Sequence, residues 1–157
     1  MIQTTSPQMP FPPPLIYVVG FAVGWFLART WPFELLSVNL RPIGVVLGWI
    51  LIAAGLAMMT TGLLAFAAAR TAIMPNLPAA RLLTTGPYRL SRNPMYVGLT
   101  IAYVGGILLT NIAWCLFTLI AVLVVFDKAV IPREERYPNA AFGASYVQYC
   151  KQVRRWL

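Results

Sequence analysis

Long uncharged runs of apolar residues alternate along the chain with short polar segments. Residues 15–31 (LIYVVGFAVGWFLARTW) carry no charge before Arg29, and residues 42–69 carry none at all. A hydrocarbon core about 30 Å thick is crossed by roughly 20 helical residues at about 1.5 Å each. The first run therefore predicts a membrane-spanning helix, and the second predicts a longer one that is tilted or protrudes from the membrane.

The third uncharged run, residues 95–126, is too long for one spanning helix and somewhat short for two. Thr110 and Asn111, which follow Gly105 and Gly106, are the natural break within it. We expect a tight hairpin of a third and a fourth helix there. The pattern thus predicts an all-α integral membrane protein with four transmembrane helices.

Apolar residues in the C-terminal segment recur at helical spacing, and basic residues occupy the other faces. This stripe predicts an amphipathic helix lying on the membrane surface. Its members are Phe142, Tyr146, Tyr149, Val153 and Trp156.

Basic residues are distributed unevenly among the polar segments. Lys and Arg number two in residues 29–41, four in 70–93, none at the hairpin tip and six in 127–157. Basic segments remain on the cytoplasmic side, so both termini are predicted to be cytoplasmic, in a plasma or inner membrane. Residues 1–14 are expected to form a Pro-rich tail, followed by two transmembrane helices over 15–70.

Composition supports this class of protein and removes others. Of the 157 residues 59% are hydrophobic and 10% charged, with a formal net charge of +8. Because the arginines flank apolar runs, we expect anionic lipid headgroups, and no nucleic acid, as partners. The chain has no histidine and only two separated cysteines, Cys115 and Cys150. We therefore expect no metal site, no disulfide framework and no histidine-based catalysis.

The segment GPYRLSRNPMYVG, residues 86–98, is the main candidate for chemistry. Two arginines precede a proline suited to begin the third helix, and a helix start flanked by arginines attracts anions. Residues 127–138 (DKAVIPREERYP) hold three of the four acidic residues, and a helical hairpin would bring them to the same membrane face. From the residues alone, a lipid-facing interface with surface ion pairs remains an alternative.

GPYRLSRNPMYVG, EER and FGASYVQYCKQVRRW together resemble the C-terminal module of the isoprenylcysteine carboxyl methyltransferase family and its phospholipid methyltransferase relatives. The resemblance covers roughly residues 77–157. It implies a module over 71–157, made of a cytoplasmic loop, the helical hairpin and a C-terminal segment that covers the cofactor. It also implies S-adenosylmethionine at the membrane boundary and a lipid or lipidated acceptor that enters from the lipid side.

The same resemblance implies which residues contact the cofactor. They are Arg81, Leu82, Leu83, Tyr88, Arg89, Arg92, Asn93, Pro94, Met95, Tyr96 and Glu134. Asn93 stands where the family usually has histidine, so that position can form hydrogen bonds but cannot take up a proton near neutral pH.

Two further residues are candidates for acting on the acceptor. Arg133 could position an anionic acceptor, and Glu135 could assist an amine acceptor that must lose a proton. A carboxylate acceptor is already ionised at neutral pH and needs no base.

The leading hypothesis is a membrane methyltransferase that uses S-adenosylmethionine. The alternatives left open are an NADPH-dependent sterol-type reductase and a non-catalytic membrane protein that retains the module.

Overall fold

The computed structural model describes residues 12–69 and 82–157. The regular secondary structure of these residues is entirely helical. The helices are α1 (Pro14–Thr30), α2 (Arg41–Ala68), α3 (Pro94–Thr110), α4 (Trp114–Val125), α5 (Ile131–Phe142) and α6 (Ala144–Gln152). A short 3-10 turn spans Gly86–Arg89, and a π-helical turn, Phe126–Val130, joins α4 to α5. The Pro-rich tail and residues 70–81 of the polar loop lie outside the described residues, apart from residues 12–14.

Two of the described helices are long and apolar enough to cross a membrane. They are α2 and the continuous helix Trp114–Phe142, which contains α4 and α5, whereas the apolar helices α1 and α3 have 17 residues each. Length therefore supports two of the four predicted transmembrane helices. Large apolar side chains point outward, with Phe26 65% and Trp49 62% exposed. An outward-facing apolar surface of this kind is what a lipid-embedded protein presents.

Helices α2 and α3 pack along two pairs of glycines whose backbones touch. A β-carbon added at Gly98 would lie 2.6 Å from the carbonyl oxygen of Gly55, and one at Gly105 would lie 2.6 Å from that of Gly48. Small residues allow this approach between membrane helices. The contact fixes the start of α3, where most of the predicted site lies, against α2.

The hairpin between α3 and α4 is confirmed at the predicted position. Asn111 ends α3 in the left-handed conformation with φ of 59°, which asparagine tolerates better than most residues. Its buried side chain accepts a hydrogen bond from the Leu36 backbone nitrogen (2.7 Å) and donates to the Glu34 carboxylate (3.3 Å). Hydrogen bonds therefore join the hairpin tip to the loop between α1 and α2.

The acidic segment 127–138 continues the fourth helix almost to Phe142. Pro132 lacks a backbone N–H and lies at the start of α5, directly after the wide π-helical turn. That turn changes which side chains face the protein. Glu134 and Glu135 are therefore presented from a helix rather than from a loop.

The C-terminal amphipathic helix is shorter than predicted, and its apolar face is covered by protein. Gly143, with φ of 50°, separates α6 from α5, and Val153 is already extended. Tyr146 and Tyr149 are buried. The tyrosine face of the stripe therefore packs against the protein.

Candidate functional site

The site forms where the first turn of α3 meets the first turn of α5. The Tyr96 hydroxyl donates a hydrogen bond to Glu134 Oε1 at 2.7 Å. The Tyr96 ring packs edge-on against Phe126, with 4.7 Å between ring centroids, and its backbone oxygen accepts from the Tyr17 hydroxyl at 3.3 Å. Three helices thus hold the tyrosine that orients the carboxylate of Glu134.

The neighbouring carboxylate, Glu135, lies in a different environment. Its Oε1 accepts from Arg92 Nη1 and its Oε2 from Arg155 Nη2, each at 2.7 Å. Asp127 pairs with Arg155 and Lys128, each at 3.0 Å. Glu135 raises the pKa of Arg155 by hydrogen bonding to it. In contrast, Glu134 pairs with no Lys or Arg among the described residues.

Two buried donors close to this site have no hydrogen-bond partner in the part of the chain that the structure describes. They are the Tyr88 hydroxyl and Arg92 Nε. Burial raises the pKa of Tyr88, and electrostatic interactions with the nearby Tyr149 and Glu134 groups act in the same direction. The Tyr88 ring packs edge-on against Phe66 of α2, with 5.3 Å between centroids. Because unpartnered buried donors are rare in proteins, they indicate where a polar ligand can bind.

Residues 91–93 hold the segment that follows α6. The Arg92 backbone nitrogen donates to the Arg154 carbonyl oxygen at 2.9 Å. Asn93 Nδ2 and the buried Ser91 hydroxyl donate to the Arg155 carbonyl oxygen at 3.0 and 3.2 Å. Asn93, which stands where the resemblance leads us to expect histidine, therefore holds the backbone of Arg155 by a hydrogen bond.

Helix α6 covers the 3-10 turn before α3. The Tyr149 hydroxyl donates to the Tyr88 carbonyl oxygen at 2.6 Å, and burial raises the pKa of Tyr149 to about 12. Arg92 Nη1 also donates to Cys150 Sγ at 2.9 Å. Helix α6 and the segment after it therefore shield this corner from solvent.

The structure brings together the central part of the predicted site and leaves other residues apart. Tyr88, Arg92 to Tyr96, and Glu134 surround one corner. Leu82 and Arg89 line a separate cavity of about 480 Å³ beside α6. Leu83 is half-buried and Arg133 is exposed. Arg81 lies outside the described residues.

Several contributors were not predicted from the sequence. In the sequence, Arg155 is one of the basic residues on the polar faces of the C-terminal segment, and its ion pairs depend on tertiary structure. Tyr17 and Tyr149 had a weak signal, since a tyrosine on a buried helix face needs a partner for its hydroxyl.

An apolar groove runs between α3 and α4 on another face of α3. Its volume is about 520 Å³. The lining is mainly aliphatic, with Asp127 and Lys128 further along the same helix as the α4 residues. Its members include Val97, Ile101, Ile120, Val124, Trp156 and Leu157. A groove of this composition suits a hydrocarbon chain.

Comparison with known proteins adds a family to this geometry. The described residues contain no group of three or more potential metal ligands. No curated protein shows a significant match to the chain. The family model for phospholipid methyltransferase matches residues 43–145, from the first turn of α2 to the start of α6.

This match confirms the resemblance seen in the sequence, since the family includes isoprenylcysteine carboxyl methyltransferase-like proteins. It implies a methyltransferase in a membrane, it fits a lipid substrate, and it does not favour the reductase or the non-catalytic alternative. The matched residues cover well over half of the chain, which therefore belongs to the phospholipid methyltransferase family.

Proposed function

We propose that this protein is an integral membrane methyltransferase that uses S-adenosylmethionine to methylate a lipid-like or lipidated acceptor. Members of the family typically use this cofactor. The observation that carries the proposal is Glu134, a carboxylate that is held by Tyr96, has no cation partner among the described residues and lies near unpartnered buried donors.

The residues of this corner fit the chemistry of the cofactor. Glu134 suits its ribose hydroxyls or its ammonium group, and the rings of Tyr88 and Tyr96 suit its adenine and its cationic sulfur. Arg92 suits its carboxylate, because Nε is buried and has no partner among the residues that the structure describes, and Arg89 is a second candidate. When bound, S-adenosylmethionine supplies an electrophilic methyl group on a positively charged sulfur.

The remaining predicted cofactor residues would contribute shape. Pro94 is buried and Met95 half-buried at the start of α3. Leu82 and Leu83 precede the 3-10 turn in the chain, and both are half-buried. Methyl transfer is a direct displacement, so the demands on these side chains are alignment of the reactants and exclusion of water.

The acceptor would be a carboxylate or an amine attached to an apolar body. A carboxylate acceptor needs no base, and the exposed Arg133 is a candidate for positioning it. An amine acceptor must lose a proton, for which Glu135 is the candidate, and both oxygens of Glu135 are already in ion pairs. The apolar groove between α3 and α4 offers the acceptor's hydrocarbon part a place to lie.

The same proposal places the site on the cytoplasmic side, with both termini there, in a plasma or inner membrane. The basic loop and the basic C-terminal segment support this orientation.

The test of the proposed function is calorimetric titration of the detergent-purified protein with S-adenosylhomocysteine and, separately, with NADPH. We expect saturable binding of S-adenosylhomocysteine only, which Glu134→Gln weakens about tenfold or more, as expected for loss of a charged hydrogen-bond partner. The matched control is Glu34→Gln, which alters an exposed carboxylate at the far end of α3. Binding of NADPH alone, or equal affinities in both variants, would contradict the proposal.

A further inference from the structure

Arg155 joins the acidic residues of the site through three ion contacts. Nη2 and Nε donate to the two oxygens of Glu135 at 2.7 and 3.3 Å, and Nη1 donates to Asp127 Oδ1 at 3.0 Å. Its backbone is held as well, because the Arg155 carbonyl oxygen accepts from Asn93 and Ser91. Hydrogen bonds therefore hold Arg155 at both its backbone and its side chain.

Glu135, which Arg155 holds in place, also contacts a second arginine, Arg92. Its Oε1 accepts from Arg92 Nη1 at 2.7 Å, so Glu135 lies between the two guanidinium groups. A guanidinium is planar and its donors form a rigid fork. Anchoring Nη1 to Glu135 and Cys150 therefore fixes the direction of the buried Arg92 Nε, which has no partner in the described part of the chain.

The two arginines consequently have different tasks. Arg155 uses its donors on Glu135 and Asp127, both of which belong to the protein. Arg92 keeps one buried donor, Nε, that has no hydrogen-bond partner within residues 12–69 and 82–157 and could bind an anion. Without Arg155, Glu135 would retain Arg92 as its partner but would lose the second contact that sets its rotamer.

We propose that Arg155 is a positioning residue: through Glu135 it orients Arg92 to bind the carboxylate of the cofactor's amino acid part. The inference rests on the proposed function and deepens it. It also assigns Asn93 a purpose, which is to hold the Arg155 backbone by a hydrogen bond from Nδ2.

The test compares two ligands of the purified full-length protein. S-adenosylhomocysteine carries the amino acid part, whereas methylthioadenosine keeps the adenine, ribose and thioether but lacks it. We expect Arg155→Gln to weaken S-adenosylhomocysteine binding about tenfold or more and to leave methylthioadenosine binding within about twofold.

Arg154→Gln is the matched control, since it makes the same charge change one residue away on an exposed side chain with no ion pair in the described chain. It should leave both affinities unchanged. Arg92→Gln should reproduce the ligand-selective loss, and the double variant Arg92→Gln with Arg155→Gln should be no weaker than Arg92→Gln alone.

Equal weakening of both ligands by Arg155→Gln would show a purely structural role and overturn the inference, as would no weakening of either. Arg155→Lys, which keeps the charge but loses the fork, should give a smaller selective loss and decides the matter if the neutral variant does not fold. If the unsubstituted protein bound neither ligand, the proposed function would fail, and this inference with it.

Discussion

The hydrogen bond between Tyr96 and Glu134 can be abolished by removing one oxygen atom, the Tyr96 hydroxyl oxygen. Tyr96→Phe deletes the hydroxyl that donates to Glu134 Oε1 at 2.7 Å and keeps the ring against Phe126. The carboxylate would then retain no side-chain hydrogen-bond donor that the structure shows, and it would be free to change rotamer.

The magnitude follows from the charge of the acceptor. A hydrogen bond to a charged group contributes about 1.5–3 kcal/mol, and a neutral one about 0.5–1.5 kcal/mol. Tyr103→Phe is the neutral comparison two turns along the same helix, because the buried Tyr103 pairs with the Thr118 hydroxyl at 2.9 Å. We expect Tyr96→Phe to lower the free energy of unfolding by about 1.5–3 kcal/mol and Tyr103→Phe by about half as much.

Ligand binding separates the two variants more sharply than stability does. If Glu134 holds the cofactor, Tyr96→Phe should weaken S-adenosylhomocysteine binding about tenfold, equivalent to about 1.4 kcal/mol, whereas Tyr103→Phe should leave it unchanged. The assays are thermal unfolding and calorimetric titration in the same detergent. Equal affinities of Tyr96→Phe and the unsubstituted protein would refute the reasoning that Tyr96 orients a cofactor-binding carboxylate.

Three further predictions concern the scaffold and are checked by unfolding temperature in detergent. Gly98→Ala places a methyl group against the Gly55 carbonyl and should destabilise the protein by about 1–3 kcal/mol. Gly106→Ala should destabilise it less, because the nearest atoms to its methyl group belong to the Phe21 side chain, and equal effects would contradict the close helix contact. Asn111→Ala should lower the free energy of unfolding by about 2 kcal/mol or more, because alanine loses the hydrogen bonds to Leu36 and Glu34 and disfavours a positive φ. An unchanged unfolding temperature would show that these hydrogen bonds do not stabilise the hairpin tip. Asn93→Asp replaces the donor to the Arg155 carbonyl oxygen with an acceptor and should destabilise the protein more than Asn93→Ala does. The reverse order would show that the hydrogen bond from Asn93 to Arg155 does not stabilise the protein.

The features predicted well from the sequence are those with local causes. Pro94 begins α3 because a proline at that position needs no partner for a backbone N–H, and Asn111 ends α3 because asparagine tolerates the left-handed conformation. Both signals lie within a few residues of the structure they produce. The hairpin and the convergence of Tyr96 with Glu134 followed from them.

The features missed from the sequence depend on distant partners. The predicted hairpin brought Asp127 and Glu135 to the membrane face of residues 86–94, but spacing along the chain did not indicate their ion pairs with Arg92 and Arg155. The stripe through Tyr149 suggested a membrane-facing helix, but a hydrogen bond to the Tyr88 backbone turns it inward. Spacing along the chain shows that a helix face is apolar and does not show what covers it.

Transfer of a labelled methyl group from S-adenosylmethionine to lipid would demonstrate the proposed reaction itself. The protein, reconstituted into vesicles of a total membrane lipid extract, would be incubated with methyl-tritiated S-adenosylmethionine, and the organic phase counted before and after mild base. We expect the unsubstituted protein and Glu34→Gln to transfer label and Glu134→Gln not to. Base-labile label would indicate a carboxylate acceptor, and base-stable label an amine acceptor. Equal label from Glu134→Gln and the unsubstituted protein, or no label from the unsubstituted protein, would contradict the proposed methyl transfer.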